Sequence, residues 1–176
     1  MTALLFPDNT VLCNYACVDR IDLLKAVVSD RGRWTQAVYA EARQSSKVWP
    51  SLGSLMDYSL LGEPIEIEDA EQVNRIRQAR LSGSPLKPTQ HLGEAETCYL
   101  IHTDASYRDS IWITDDYDAF DFAKQLQIVT WDTRTTLETL VSMGETTAEQ
   151  AFELLQEMHG LGRNPRRMPA HYRELQ

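Results

Sequence analysis

The strongest constraint in this sequence is a recurring unit: a short apolar run that stops at an aspartate and gives way to a helical pattern. Ala3-Leu4-Leu5-Phe6 leads into Pro7-Asp8-Asn9, Ser110-Ile111-Trp112-Ile113-Thr114 into Asp115-Asp116, and Ile128-Val129-Thr130-Trp131 into Asp132-Thr133. Short apolar runs bounded by polar turns suit strands buried on both faces, the kind used in parallel sheets. Between them, helical spacing predicts helices over residues 10–18, 21–29, 36–45, 69–81, 94–102, 119–126, 135–143 and 148–159. Asp19, Thr35 and Thr147 are read as N-caps, and Ile65-Glu66-Ile67 as a short strand. Strands alternating with helices predict a three-layer α/β/α sandwich around a mostly parallel central sheet.

A chain of 176 residues suits one domain. That domain is expected over 1–159. Residues 160–176 change character, with Arg163, Arg166, Arg167, Arg173, Pro165 and Pro169 and few apolar anchors. Disorder, docking on a partner and contact with RNA phosphates stand as equal readings of this tail. No run approaches the roughly 20 apolar residues of a membrane span, and the start lacks a signal-peptide pattern, so a cytoplasmic location is expected. Cys13, Cys17 and Cys98 are an odd set without close pairing, which argues against a disulfide framework.

Seventeen Lys and Arg against 26 Asp and Glu give a net charge of −9. That argues against binding nucleic acid or membrane by bulk electrostatics. It leaves room for an enzyme whose acids hold a metal. From 94 to 121 the acids are Glu94, Glu96, Asp104, Asp109, Asp115, Asp116, Asp118 and Asp121, opposed only by Arg108. Asp8 and Asp115 each follow an apolar strand, and ligands of parallel sheets bind beyond the carboxyl ends of the strands. Carboxylates held together on a rigid scaffold repel, by on the order of 4 kcal/mol per pair at about 4 Å and an effective dielectric near 20. A cation relieves that cost. All-oxygen ligands favour Mg²⁺ or Mn²⁺ over zinc.

Four pieces of sequence, in order, carry a resemblance. They are Asp8-Asn9-Thr10-Val11-Leu12 after a strand, Ala37-Val38-Tyr39-Ala40-Glu41 on an early helix, Leu92-Gly93-Glu94-Ala95-Glu96 opening a later helix, and Trp112-Ile113-Thr114-Asp115-Asp116 closing a strand. Thr133 with Leu137, Leu140 and Gly144 extends the match. From residue 3 to about 145 the chain resembles the PIN domain, and its Gly-Glu-Ala-Glu form is similar to bacterial members close to toxin–antitoxin ribonucleases. The resemblance implies a metal-dependent endoribonuclease with RNA as substrate, an antitoxin protein as partner and a homodimeric assembly. By position it makes Asp8, Glu41, Glu94 and Asp115 catalytic. Asp8, Glu94 and Asp115 would hold Mg²⁺ or Mn²⁺ with Asp116 or Asp118 as a further carboxylate, and Thr10 would orient the first aspartate. Two departures stand out: Pro7 directly before Asp8, and a glutamate at 94 where many members have Asp.

Each acid also has an ordinary reading. Asp8 suits a turn, Glu41 an exposed helix face, Glu94 a helix first turn, and Asp115-Asp116 the start of a turn with the helix capped at Asp118. Arg75, Arg77 and Arg80 read as a solvated helix face, His102 as structural, and the four Trp residues as packing. The competing functional expectation is a catalytically degenerate PIN-like module that binds a protein partner.

Overall fold

The computed structural model describes residues 3–176, so the first two residues of the domain expected over 1–159 lie outside the described residues. In chain order the elements are β1 (Leu5–Pro7), α1 (Asn9–Cys17), α2 (Ile21–Val28), α3 (Gln36–Ser45), α4 (Ala70–Arg80), α5 (Leu92–Thr103), β2 (Ile111–Ile113), α6 (Tyr117–Gln125), β3 (Val129–Trp131), α7 (Thr133–Met143) and α8 (Ala148–Gly160). Short 3₁₀ turns lie at Ser29–Arg31, Pro50–Leu55 and Tyr172–Leu175. The strands form one three-stranded parallel sheet in the order β1-β2-β3, with Leu5 beside Ile111 and Ile111 beside Val129.

Successive strand residues face opposite sides, and here the two sides feed separate cores. Leu5 and Ile113 join one core with Val11, Leu24, Val38, Leu137 and Leu155, drawn from α1, α2, α3, α7 and α8. Phe6 and Trp112 join the other with Val73, Ile101 and Phe122, drawn from α4, α5 and α6. Helices thus cover both faces, which is why the strands are apolar without alternation. Trp34 and Trp112 are among the largest fully buried side chains.

Pro7 is the last residue of β1 rather than a break. The Asp8 N–H donates to the Ile113 carbonyl at 2.9 Å. Strand parity therefore turns the nitrogen of Pro7 away from β2, where a missing N–H removes no ladder bond. On that outer side Leu5 bridges Gly32, and the Arg33 N–H donates to the Leu5 carbonyl at 2.9 Å. A Cβ at Gly32 would lie 2.5 Å from Val28 and 2.6 Å from Leu61, so the edge closes only on glycine.

Three local expectations need correction. Asp19 is not a cap: it takes a positive φ of 53°, and the N-cap position of α2 is Arg20, which makes no side-chain capping bond. Ile65 makes one isolated bridge with Thr35 in place of a strand over 65–67. Arg77 is only 2% exposed, not part of a solvated face. Its guanidinium donates to the carbonyls of Ser84 (3.0 Å), Lys87 (3.1 Å) and Gln90 (3.3 Å). The loop between α4 and α5 has no ladder for these carbonyls, and the many donors of one arginine supply their partners.

The tail after α8 folds back on the domain. Arg134 donates to the carbonyls of Arg167 (2.9 Å) and Glu174 (3.0 Å), and Leu175 is 1% exposed. Among the described residues no helix is long and apolar enough to cross a membrane.

Candidate metal centre

Each strand ends in an aspartate because that aspartate caps the next helix. Asp8 caps α1, accepting from the N–H groups of Thr10 (2.6 Å) and Val11 (3.1 Å). Asp116 caps α6 through the Ala119 N–H (2.7 Å), and Asp132 caps α7 through the Thr135 N–H (2.8 Å). The turn reading of Asp8 is therefore part of its role, while the residue that caps α6 is Asp116 and not the expected Asp118. The convergence of Asp8, Asp116 and Asp132 is set by the sheet: parallel strands deliver all three caps to the same carboxyl edge. The positive ends of the helices partly offset the gathered negative charge.

Asp8 is buried. Oδ1 is taken by the capping N–H groups, and Oδ2 accepts from the Thr114 hydroxyl. The Thr114 oxygen in turn accepts from the Asp116 N–H at 3.1 Å, linking the ends of β1 and β2. Burial, then the charge of Glu94, pushes Asp8 up to about 7 against the pull of Thr114 and Val11, and Asp115 adds to the rise. Thr10 reaches Asp8 through its backbone N–H.

Glu41 on α3 comes against the start of α5, where Oε1 accepts from the Gly93 N–H at 3.2 Å. A Cβ on residue 93 would lie 3.1 Å from both Glu41 oxygens and 2.9 Å from Val38, so glycine is what admits the carboxylate. Burial first, then Glu94, pushes Glu41 up to about 8, with Asp8 and Glu96 adding. Glu96 points to α3 and accepts from the Ala37 N–H at 2.9 Å, which makes it a bracket between helices.

Glu94 meets a residue the sequence reading passed over. His91 Nδ1 lies 3.2 Å from Glu94 Oε1, and His91, Glu94 and Asp116 each offer a ligand atom within 4.8 Å of the others. His91 stands just before α5 in the left-handed region at φ 57°, strain that non-glycine residues carry at about 1–2 kcal/mol. The hydrogen bond to Glu94 raises its pKa, with Asp116 and Asp118 adding. Asp118 thus contributes its field, while its carboxylate accepts from Ser82 at 3.2 Å.

Asp115 is placed differently. It accepts from Asn14 Nδ2 (2.7 Å), the Thr133 N–H (3.2 Å), the Thr133 hydroxyl and the Arg166 N–H (3.1 Å). Burial raises its pKa, and these donors pull it back. Asp132 beside it is held low: the Arg167 ion pair at 2.6 Å and the Thr135 donors outweigh its burial.

Asp8 thus feels the charges of Glu94 and Asp115, and Glu41 those of Glu94 and Asp8. Among the described residues, however, the ligand atoms that gather within 4.8 Å are those of His91, Glu94 and Asp116, without the expected Asp8, Asp115 and Asp118. A cation bonded at about 2.0–2.6 Å spans ligand atoms of that separation. With one imidazole beside two carboxylates the donor set is not the all-oxygen one expected, and an imidazole suits zinc as well. Beside Glu41 opens a cleft of about 390 Å³ bordered by Asn9, Gln44, Ser45, Thr89 and Leu92. His102 lies apart from the acids, in a separate cleft with Arg108 and Val129.

Some of this had a sequence signal. Thr133 belongs to the resemblance, whereas His91, which precedes α5 in a left-handed conformation, has no helical spacing to announce it. Asn14 and Thr114 have none beyond lying near Asp8 and Asp115. No protein-family model, curated protein or solved structure matches the chain.

Proposed function

We propose that this chain is a PIN-type, metal-dependent endoribonuclease that hydrolyses RNA phosphodiester bonds with Mg²⁺ or Mn²⁺. The observation that carries the reading is the cluster of His91, Glu94 and Asp116, whose ligand atoms lie within 4.8 Å of one another, with the charge of Glu94 felt by the buried carboxylates of Asp8 and Glu41. His91, Glu94 and Asp116 would hold the cation. When bound, it supplies Lewis-acid polarisation of the phosphate and a more acidic water. Burial and the charge of Glu94 push Asp8 up to about 7 and Glu41 up to about 8, so both titrate around neutral pH and would give up protons as positive charge arrives. Thr114 fixes Asp8, and the Gly93 N–H fixes Glu41. The cleft beside Glu41 gives the RNA chain a place to lie. As an extension of the resemblance, the biological role is that of a toxin held by an antitoxin, acting as a homodimer in the cytoplasm.

Purified protein should cleave single-stranded RNA in Mn²⁺ and stop on chelation. Asp8→Asn and Glu94→Gln should each slow cleavage by roughly 10²-fold or more. Undiminished cleavage by both variants would remove the reading.

A specific observation favours the second reading, a catalytically degenerate PIN-like module that binds protein: the chain's own donors surround Asp115. Such a module would show no binding heat with Mg²⁺ or Mn²⁺.

A further inference from the structure

The segment after α8 touches the acid cluster at three successive points. Arg163 Nε donates to Asn14 Oδ1 at 2.8 Å, and its NH2 group donates to the Thr10 carbonyl at 3.1 Å. The Arg166 backbone N–H donates to Asp115 Oδ1 at 3.1 Å. The Arg167 guanidinium grips Asp132 at 2.6 and 2.8 Å and the Thr135 hydroxyl at 2.7 Å. Besides Asp115 itself, two of these targets bear on it. Asn14 is itself a donor to it, and Asp132 adds the neighbouring negative charge.

An ionised carboxylate offers about four lone-pair positions. Asp115 has four donors: Asn14 Nδ2, the Thr133 N–H, the Thr133 hydroxyl and the Arg166 N–H. Three come from α1 and the start of α7, which are fixed in the core. The fourth comes from the arm. A lone pair on Oδ1 becomes free for a cation when the Arg166 N–H withdraws. The arm also brings guanidinium charge to the place where a divalent cation would neutralise the acids, so the two compete for one field.

The Arg166 side chain bears on how readily the arm lets go. It lies over the rings of Tyr117 (4.2 Å) and Phe120 (4.1 Å), with Nε and NH1 buried and without hydrogen-bond partners. Unpaired buried donors weaken the docked arrangement.

The geometry points to an inhibitory strap: residues 163–167 close Asp115 to divalent cations, so that docking of the arm and ligation of a cation by Asp115 exclude each other. This rests on the nuclease reading in the form the resemblance implies, with Asp115 a cation ligand in addition to the Glu94 site that His91 and Asp116 complete. It assigns the arm a role as a switch rather than a partner-binding tail.

Mutual exclusion is reciprocal: whatever weakens one event strengthens the other. Amide hydrogen exchange on the full, unmodified chain tests this without a variant. Saturating Mg²⁺ should speed exchange in the peptide containing the Arg166 amide. Exchange unchanged or slowed while calorimetry records bound Mg²⁺ would overturn the strap. In calorimetry, the full chain carrying Arg163→Ala and Arg167→Ala should bind Mn²⁺ roughly fivefold or more tightly than the parent. Adding Asp115→Asn should cancel that gain. Equal affinity in parent and arm variant overturns the strap. Parent binding that Glu94→Gln abolishes would, in that case, leave the nuclease reading standing. No cation bound by either protein removes both.

Discussion

Glu94 and Asp115 both act on Asp8, yet the chain treats them in opposite ways. Asp115 is 4% exposed and collects four donors, one from the C-terminal arm. Glu94 leaves 13% of its side chain exposed and faces His91 and Asp116, which bring one ring nitrogen and another carboxylate. A buried carboxylate surrounded by donors is an anchor: its charge is solvated by the protein. A carboxylate facing further acids without such donors is a load that a cation relieves. With the arm docked, one carboxylate, Asp115, thus serves as scaffold while the other, Glu94, stands in the candidate ligand site.

Truncating the two acids sharpens that contrast most. In the cation-free protein Asp115→Ala leaves Asn14, Thr133 and the Arg166 N–H without their shared acceptor. It should lower unfolding stability by roughly 3 kcal/mol. Glu94→Ala removes a like charge from beside Asp8 and Glu41 and should raise it, by about 1 kcal/mol. Urea unfolding with chelator present reads both. Losses of equal size would break the contrast.

Next in size is a pH effect. Asp8 rises from 3.8 to about 7, and Glu41 from 4.5 to about 8. Between the ordinary and folded values the folded chain holds more protons than the unfolded one, so stability falls as pH rises. This contribution is complete below about pH 4 and lost by about pH 8, a change on the order of a few kcal/mol. Melting temperatures in chelator should therefore drop across that window once the other acids are ionised. Mn²⁺ should restore most of the loss at pH 8. A flat profile would mean that the two acids are solvated better than their burial implies.

Gly93→Ala is the smallest of the three. The added Cβ crowds Val38 and both Glu41 oxygens, at about 1–2 kcal/mol in stability. Glu41 would move off the Gly93 N–H, and the apparent pKa of Glu41 read by NMR should shift. Ser in place of Gly should behave the same way, whereas Gly53→Ala meets open space and should be silent.

Much of the scaffold was legible because it follows from local chemistry. Apolar runs ending in aspartate gave three parallel strands, and Thr35 and Thr147 cap α3 and α8 as their positions predict. Asp8 and Asp115 stand out in the sequence because each follows an apolar strand, whereas Glu41 and Glu94 are singled out by the resemblance. What escaped was long-range satisfaction of polar groups. Nothing in a run of arginines tells that Arg77 will be swallowed by three loop carbonyls while Arg75 stays in solvent against Glu71. Likewise the arm reads as a loose basic tail, and only the fold brings Arg163 to Asn14 across 149 residues. His91 was hidden for a different reason: it precedes its helix in a left-handed conformation that no helical periodicity announces.

The most direct test of the cation centre is a Mn²⁺ titration by calorimetry near pH 7, repeated in two buffers with different heats of ionisation. The account predicts binding that Glu94→Gln abolishes, with a buffer-dependent heat from protons released by Asp8 and Glu41. A parent protein that takes up no Mn²⁺ in either buffer would contradict it.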